Sequence, residues 1–403
     1  MRTLRDRYTG DEMIILVLVG SIFVSIYATL AALILMLGYL IRKNRIRRLI
    51  EYAPGVGYLA AFCALTLIVS VLNDNRQGIL MALALAVFFL AAIFMRQVMT
   101  RSLFETIIDV SLAASLFSFL VMVIQRFTLT DLEDPRVVST FGNANYFAAI
   151  TEILILLCLY RLLGNKTGSR IFPSIVLACN LAGLYISDCR TAFAACGLSI
   201  LVLLLLNQRY RALGLVVALD ILLILAVSRI PDLLPRTSAV SVDLVLRVRI
   251  WQAAIRGILK HPVFGQGTGT YLLCYARQGG PGADHAHNLI LEPLLNYGLA
   301  GIALLLPYSV TAFKSICRLM LSIRNHQTGY LVVSVLCCLV IHGIMDIPFF
   351  GAQTGLLLLT IISAAGIAEQ GRLAAKQVPD WLSLPEQPAL LEAKRAATKH
   401  RLL

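Results

Sequence analysis

An all-α polytopic membrane protein is the fold class this sequence predicts, and three observations predict it. Of 403 residues, 59% are hydrophobic and 14% charged, with a mean hydropathy of +0.81, a composition that water does not hold as one globule. Apolar runs of the length needed to cross a bilayer as helices, about 17 to 25 residues, recur along the chain. These Leu/Ala/Val/Ile runs lack the alternation of barrel strands, and backbone amides in hydrocarbon must be satisfied within the segment.

The runs lie near 13–41, 54–72, 78–95, 103–125, 145–163, 171–187, 191–206, 212–228, 289–313, 329–345 and 353–368, which gives about 11 (10–12) transmembrane helices. They divide into an N-terminal transmembrane bundle (1–228), an extracytoplasmic loop (229–288) with an amphipathic helix at 242–261, C-terminal transmembrane helices (289–368) and a cytoplasmic tail (369–403). Orientation follows from Lys and Arg, which collect in cytoplasmic links. The links at 42–48, 96–101, 161–170, 208–211 and 314–324 are basic and alternate with the others, so they are expected inside, along with the tail carrying Lys376, Lys394, Arg395, Lys399 and Arg401. Against this, the N-terminus with Arg2, Arg5 and Arg7 falls outside if the span count is odd. That basic start and the long first run resemble a signal anchor. The net charge of +13 is absorbed by topology and anionic lipid, so membrane lipids are expected partners and nucleic acid is not.

Most of the nine cysteines fall inside expected helices, where they behave as small apolar residues. None has metal-ligand spacing. Cys189 and Cys274 both fall near the outer face, but sequence alone does not show whether their backbones come within bridging distance.

The 229–288 loop interrupts a series of short links, and long loops of this kind are usually functional. Leu244, Val248, Trp251, Ile255 and Ile258 form one helical stripe, with Arg249, Arg256 and Lys260 opposite. Those three cations suit lipid headgroups or carrier phosphate. Arg247 stands at the stripe's edge, either aimed at a ligand or snorkelling to lipid phosphate. The helix ends at His261-Pro262, before the glycine turn Gly265-Gln266-Gly267-Thr268-Gly269. No strand precedes that turn, so a nucleotide cradle is not indicated. Asp284-His285-Ala286-His287-Asn288 then opens an apolar segment. Titratable rings at a membrane surface mark that point as the place for chemistry.

Together these pieces resemble the O-antigen ligase and polymerase superfamily. The resemblance is carried by Arg247 four residues before Trp251, by Pro262-Val263-Phe264-Gly265-Gln266-Gly267, and by His287-Asn288 opening a helix with Gly298-Leu299-Ala300-Gly301. It extends to Ser187-Asp188-Cys189-Arg190, where two residues separate Ser from Arg, to Gly142-Asn143-Ala144-Asn145-Tyr146-Phe147, and to His342 through Asp346 and Pro348. The first 120 residues show only spans. The resemblance implies a bacterial glycosyltransferase of the cytoplasmic (inner) membrane, active on its extracytoplasmic face. Its donor is a glycan linked to undecaprenyl pyrophosphate, its acceptor a glycan, lipid or protein hydroxyl, and no cofactor or metal is implied. Fixed arginines suit a pyrophosphate leaving group, so Arg190 and Arg247 are expected to clamp it, and a neutral imidazole suits proton removal from the acceptor. His287 is the expected base, with His285 second. Asp346 is expected to orient a histidine or pair with an arginine, since an acid at that depth is costly without a partner. Asn145 and Asn288 are expected in support, although either Asn143 or Asn145 also suits a helix cap. The competing class is a transporter or flippase of lipid-linked oligosaccharide. Such folds show internal repeats and polar midplane helices, and no repeat is found between the halves of this chain.

Overall fold

The computed structural model describes residues 8–128, 136–164, 169–230, 240–347 and 350–370. Among them every regular element is helical: α1 (Gly10–Ile22), α2 (Ile26–Arg42), α3 (Ile46–Tyr52), α4 (Val56–Leu72), α5 (Arg76–Val98), α6 (Arg101–Thr128), α7 (Ala144–Leu163), α8 (Ile171–Ile186), α9 (Arg190–Leu206), α10 (Tyr210–Arg229), α11 (Val240–Lys260), α12 (Thr270–Cys274), a short 3-10 turn, α13 (Leu291–Leu321), α14 (His326–Gly343) and α15 (Ala352–Ile362). Seven helices are long and apolar enough to cross a membrane: α5, α6, α7, α10, α13, α14 and the segment Ala352–Gln370. Four shorter apolar helices, α2, α4, α8 and α9, accompany them.

Helix α7 is the axis of the bundle. It is apolar on every side, and a helix of that kind belongs in an interior; its residues from Phe147 to Cys158 are buried almost without a break, against α8, α9 and α14. By contrast α10 buries no residue, and its Leu219, Leu222, Ile224 and Leu225 are all exposed, as suits a helix solvated by lipid tails.

The expected span at 13–41 is two helices, not one. Ser25 adopts extended backbone and its hydroxyl accepts the Ala28 N–H, so it caps α2 afresh after α1 ends at Phe23. The Tyr39 hydroxyl donates to Asp11 at 2.7 Å, and Arg45 pairs with the same carboxylate. The start of α1 therefore lies beside the end of α2, and the pair is an antiparallel hairpin. Hydropathy missed the reversal because both arms and the turn between them are apolar.

This extra reversal removes the conflict over the N-terminus. The basic links share one end of the bundle: Gln97 donates to the Leu49 carbonyl, Arg101 to that of Arg324 and Arg209 to that of Leu163, while Arg161 pairs with Glu105. Asp11 stands at that end through Arg45, and Glu369 through its pair with Arg96. Both ends of the described chain thus meet the basic links. Arg2, Arg5, Arg7, the loop's first residues to 239, Pro348 and the tail beyond Gln370 lie outside the described residues. A topology test follows: single cysteines at Thr9 and Asn44 should react with an impermeant maleimide from the same side of the membrane. Labelling from opposite sides would rule out the hairpin.

Candidate active site at the end opposite the basic links

The site is assembled by four segments that meet at one carboxylate. Asp346 follows the end of α14, with its N–H still bonded to the His342 carbonyl at 3.1 Å, and it is 3% exposed. Its Oδ1 lies 2.9 Å from His287 Nδ1 and 3.8 Å from His285 Nε2, and it also accepts the Ile347 N–H. Its Oδ2 accepts from Asn145 Nδ2 at 2.5 Å and lies 3.9 Å from Arg247 Nη2. Arg136 Nη1 in turn donates to the Asn145 carbonyl oxygen at 3.2 Å.

Local sequence explains each placement. At the start of α7, Asn143 is the cap, accepting the Asn145 N–H at 2.7 Å, which frees Asn145 for Asp346. Asn288 Oδ1 accepts the N–H groups of Ile290 and Leu291 and so caps α13, while its Nδ2 donates to the Ile344 carbonyl and holds the Asp346 segment against that helix. His287 adopts a left-handed backbone, φ +48°, which non-glycine residues rarely do. That turn brings both rings to Asp346, with centroids 4.1 Å apart. The strained residue is held by the Trp251 indole N–H, which reaches its carbonyl at 3.4 Å, and by its own N–H, which donates to His285 Nδ1 at 3.2 Å.

The rest of the loop is packed in place. Ile250, Ala253, Ala254, Tyr271, Cys274, Ala286 and Leu295 form a small core of their own between α11, α12 and the start of α13. Buried Glu292 accepts the Ala286 N–H at 2.6 Å and the Asn296 amide at 2.8 Å, and Asn296 accepts the Thr270 N–H. Two glycines are required here. A Cβ on Gly267 (φ +94°) would collide with Ser70, and one on Gly298 (φ +60°) with the Val263 carbonyl, where the turn crosses a kink in α13.

Electrostatics make this an anion site. Burial alone would raise the Asp346 pKa, but the His287 hydrogen bond and the Arg247 guanidinium outweigh it and hold the carboxyl well below the usual carboxylate range. As an ionised acceptor it fixes the His287 proton on Nδ1 and leaves Nε2 with a free lone pair. Burial, reinforced by neighbouring His287, lowers the His285 pKa from 6.5 to about 4. That ring is neutral at pH 7, accepting at Nδ1 and carrying its proton on Nε2. Arg247 Nη1 is buried and has no partner among the described residues. His285, His287 and Asp346 are also close enough to share a metal ion, with ligand atoms within 4.8 Å of one another. The surroundings do not suit one: a guanidinium stands 3.9 Å from the carboxylate and Arg136 stands behind Asn145, so a divalent cation would face like charge.

Of the residues singled out in the sequence, His285, His287, Asp346, Asn145 and Arg247 come together, with Asn288 bracing them. Arg190 pairs with Asp243, one turn before Arg247 on α11. Cys189 and Cys274 are both free thiols. Sequence reading missed Arg136, Asp243 and Glu292. Arg136 carried one signal: an arginine on a link expected to face outward runs against the bias of such links.

Residues 175–306 match the family model of the O-antigen ligase. On that segment the chain is similar to the O-antigen ligase and polymerase superfamily, a match that supports a membrane enzyme of that type. The matched segment holds Arg190, Arg247, His285, His287 and Asn288, and the fold adds Arg136, Asn145 and Asp346 from outside it. No curated protein sequence matches the chain. A chain from a solved peptidoglycan synthase complex that coordinates polymerization and crosslinking aligns over 79% of this chain and 97% of its own, with a TM-score of 0.47 and 16% identity, a likeness too loose to bear on fold or chemistry.

The buried neutral His285 gives this enzyme an acid-sensitive fold. The unfolded chain takes up the His285 proton near pH 6.5 and the folded one only near pH 4, so stability present above pH 6.5 is lost as pH falls toward 4. Between pH 6.5 and 4.5 the loss from this group is about 2 kcal/mol. In detergent unfolding, His285→Gln should flatten the acid slope by that amount, and an unchanged slope would contradict the assignment.

Proposed function

We propose that this protein transfers a glycan from an undecaprenyl-pyrophosphate carrier to an acceptor hydroxyl at the outer face of the bacterial cytoplasmic membrane. The observation that carries the reading is the buried, unpartnered Arg247 Nη1 beside an Asp346–His287 pair whose free Nε2 is a ready base. A guanidinium with spare donors at a low-dielectric surface suits phosphate oxygens, and a histidine oriented by a carboxylate suits proton abstraction.

In this mechanism His287 Nε2 takes the acceptor hydroxyl proton as the oxygen attacks the anomeric carbon. The anomeric C–O bond to phosphate breaks, and its electron pair leaves on the carrier pyrophosphate. Arg247 offsets the charge that develops there, and Asp346 stabilises the imidazolium without taking the proton. His285, held neutral, fixes the His287 backbone. Arg136 and Arg190 complete the cationic rim, with Arg190 leaving Asp243 for phosphate when the donor arrives. The reading covers ligation and polymerisation alike, since both need this step.

Purified protein in lipid, given an undecaprenyl-pyrophosphate oligosaccharide and a candidate acceptor preparation, should release carrier pyrophosphate. His287→Ala should lower the rate by about 10²- to 10⁴-fold, and Arg247→Ala by about 10²-fold. Equal release from all three would remove the site, and carrier movement between leaflets without release would point to a flippase. A change of opposite sign is expected at Asp243: because its carboxylate competes with phosphate for a partly exposed arginine, Asp243→Asn should lower the donor KM by about 3-fold, a surface ion pair's worth. A raised KM would contradict the competition.

A further inference from the structure

Among the ionisable groups that the mechanism does not use, one pair lies in the interior of the helix bundle. Glu152 on α7 is 2% exposed and His342 on α14 is 0% exposed. Glu152 Oε1 meets His342 Nδ1 at 2.7 Å, and its Oε2 accepts from the Cys338 thiol at 2.7 Å. Such groups are expensive inside a membrane protein and mark function unless packing alone requires them.

Their position relative to the site is specific. Glu152 is seven residues after Asn145 on α7, two helical turns along the same face, and His342 is four residues before Asp346, one turn along the same face. Helices α7 and α14 are thus joined by two polar rungs. The upper rung is Asn145–Asp346 and the lower is Glu152–His342. The far side of the His342 ring faces the Cys189 thiol, its Nε2 making no hydrogen bond among the described residues. Cys189 immediately precedes Arg190 at the start of α9. One buried ring therefore touches all three helices whose ends carry Asn145, Asp346 and Arg190.

We infer that Glu152 and His342 are positioning residues for transfer: they set the register of α7 against α14 so that Asn145 meets Asp346 in the orientation that aims His287. Apolar helix faces slide past each other at little cost, because lipid tails and leucine side chains are equally apolar. A buried hydrogen-bonded pair does not slide, since separating its members leaves each polar group without a partner; fixing register is the best-attested use of buried polar groups. The inference rests on the transfer reading above, and its test separates the two.

The test compares the wild type with Glu152→Gln and with the double variant Glu152→Leu/His342→Leu. Removing both groups together leaves only the weak Cys338 thiol donor without its acceptor, so the double variant should fold, with a melting temperature within a few degrees of wild type. Its donor KM should stay within about 3-fold while kcat falls by about 10- to 100-fold, the cost of a base misplaced by a fraction of an ångström to one ångström. Glu152→Gln, which keeps the shape, should show the same kcat loss to a lesser degree, and it carries the test if the double variant does not fold. A folded double variant, or a folded Glu152→Gln, with wild-type kcat overturns the inference. A second readout needs no activity. The pair Asn145→Cys/Asp346→Cys, joined by a short bifunctional thiosulfonate, should cross-link quickly in the parent chain and slowly with the lower rung removed. If wild type releases no carrier pyrophosphate, the transfer reading fails and cross-linking alone decides the inference, equal rates counting against it.

Discussion

Everything at the open end of this bundle depends on one buried carboxylate. Asp346 is the shared counter-ion of His287, His285 and Arg247 and the acceptor for Asn145. Those partners come from the loop before α13, from α11 and from α7, while Asp346 itself follows α14. An acid so enclosed stays ionised only because its partners outweigh the cost of burial. The proposed transfer uses the same arrangement, with arginine beside a histidine that a carboxylate orients.

Rigidity comes from the packing around that point. The segment from α11 to α13 is tied down by its own small core, by Glu292 on the Ala286 amide and by Asn75, whose amide reaches the Thr268 carbonyl from the turn between α4 and α5. The left-handed backbone at His287 is sustained by these restraints, and strain of this kind persists only where the surroundings over-determine it. The glycine turn contributes by absence of side chains, letting residues 262–269 pass against the α13 kink at backbone distance.

Much of this was legible in the sequence because hydropathy and charge asymmetry are strong signals. The helical class, the loop helix and the convergence on the His285–Asn288 run could all be read there. The hairpin at the N-terminus could not, since Ser25 is a weak mark within a continuous apolar stretch. Which asparagine caps α7 and which meets Asp346 depends on one turn of backbone at Asn143. Arg136 and Asp243 belong to no motif, and their roles follow only from neighbours far away in the chain. An acid in the first turn of a helix, such as Glu292, suits the helix end by itself, and nothing in the sequence marks the Ala286 amide as its partner. Arg190 is expected in the clamp by type and position, and in the ligand-free structure it pairs with Asp243. A ligand-free site must satisfy its cations with its own acids, and no sequence pattern announces which ones.

The most direct measurement is a cryo-electron microscopy structure of the protein in lipid with undecaprenyl pyrophosphate bound. The account predicts pyrophosphate density against Arg247, with Arg190 turned from Asp243 toward it and the His287–Asp346 contact intact. Pyrophosphate seated away from Arg247, or at the end of the bundle that carries the basic links, would contradict it.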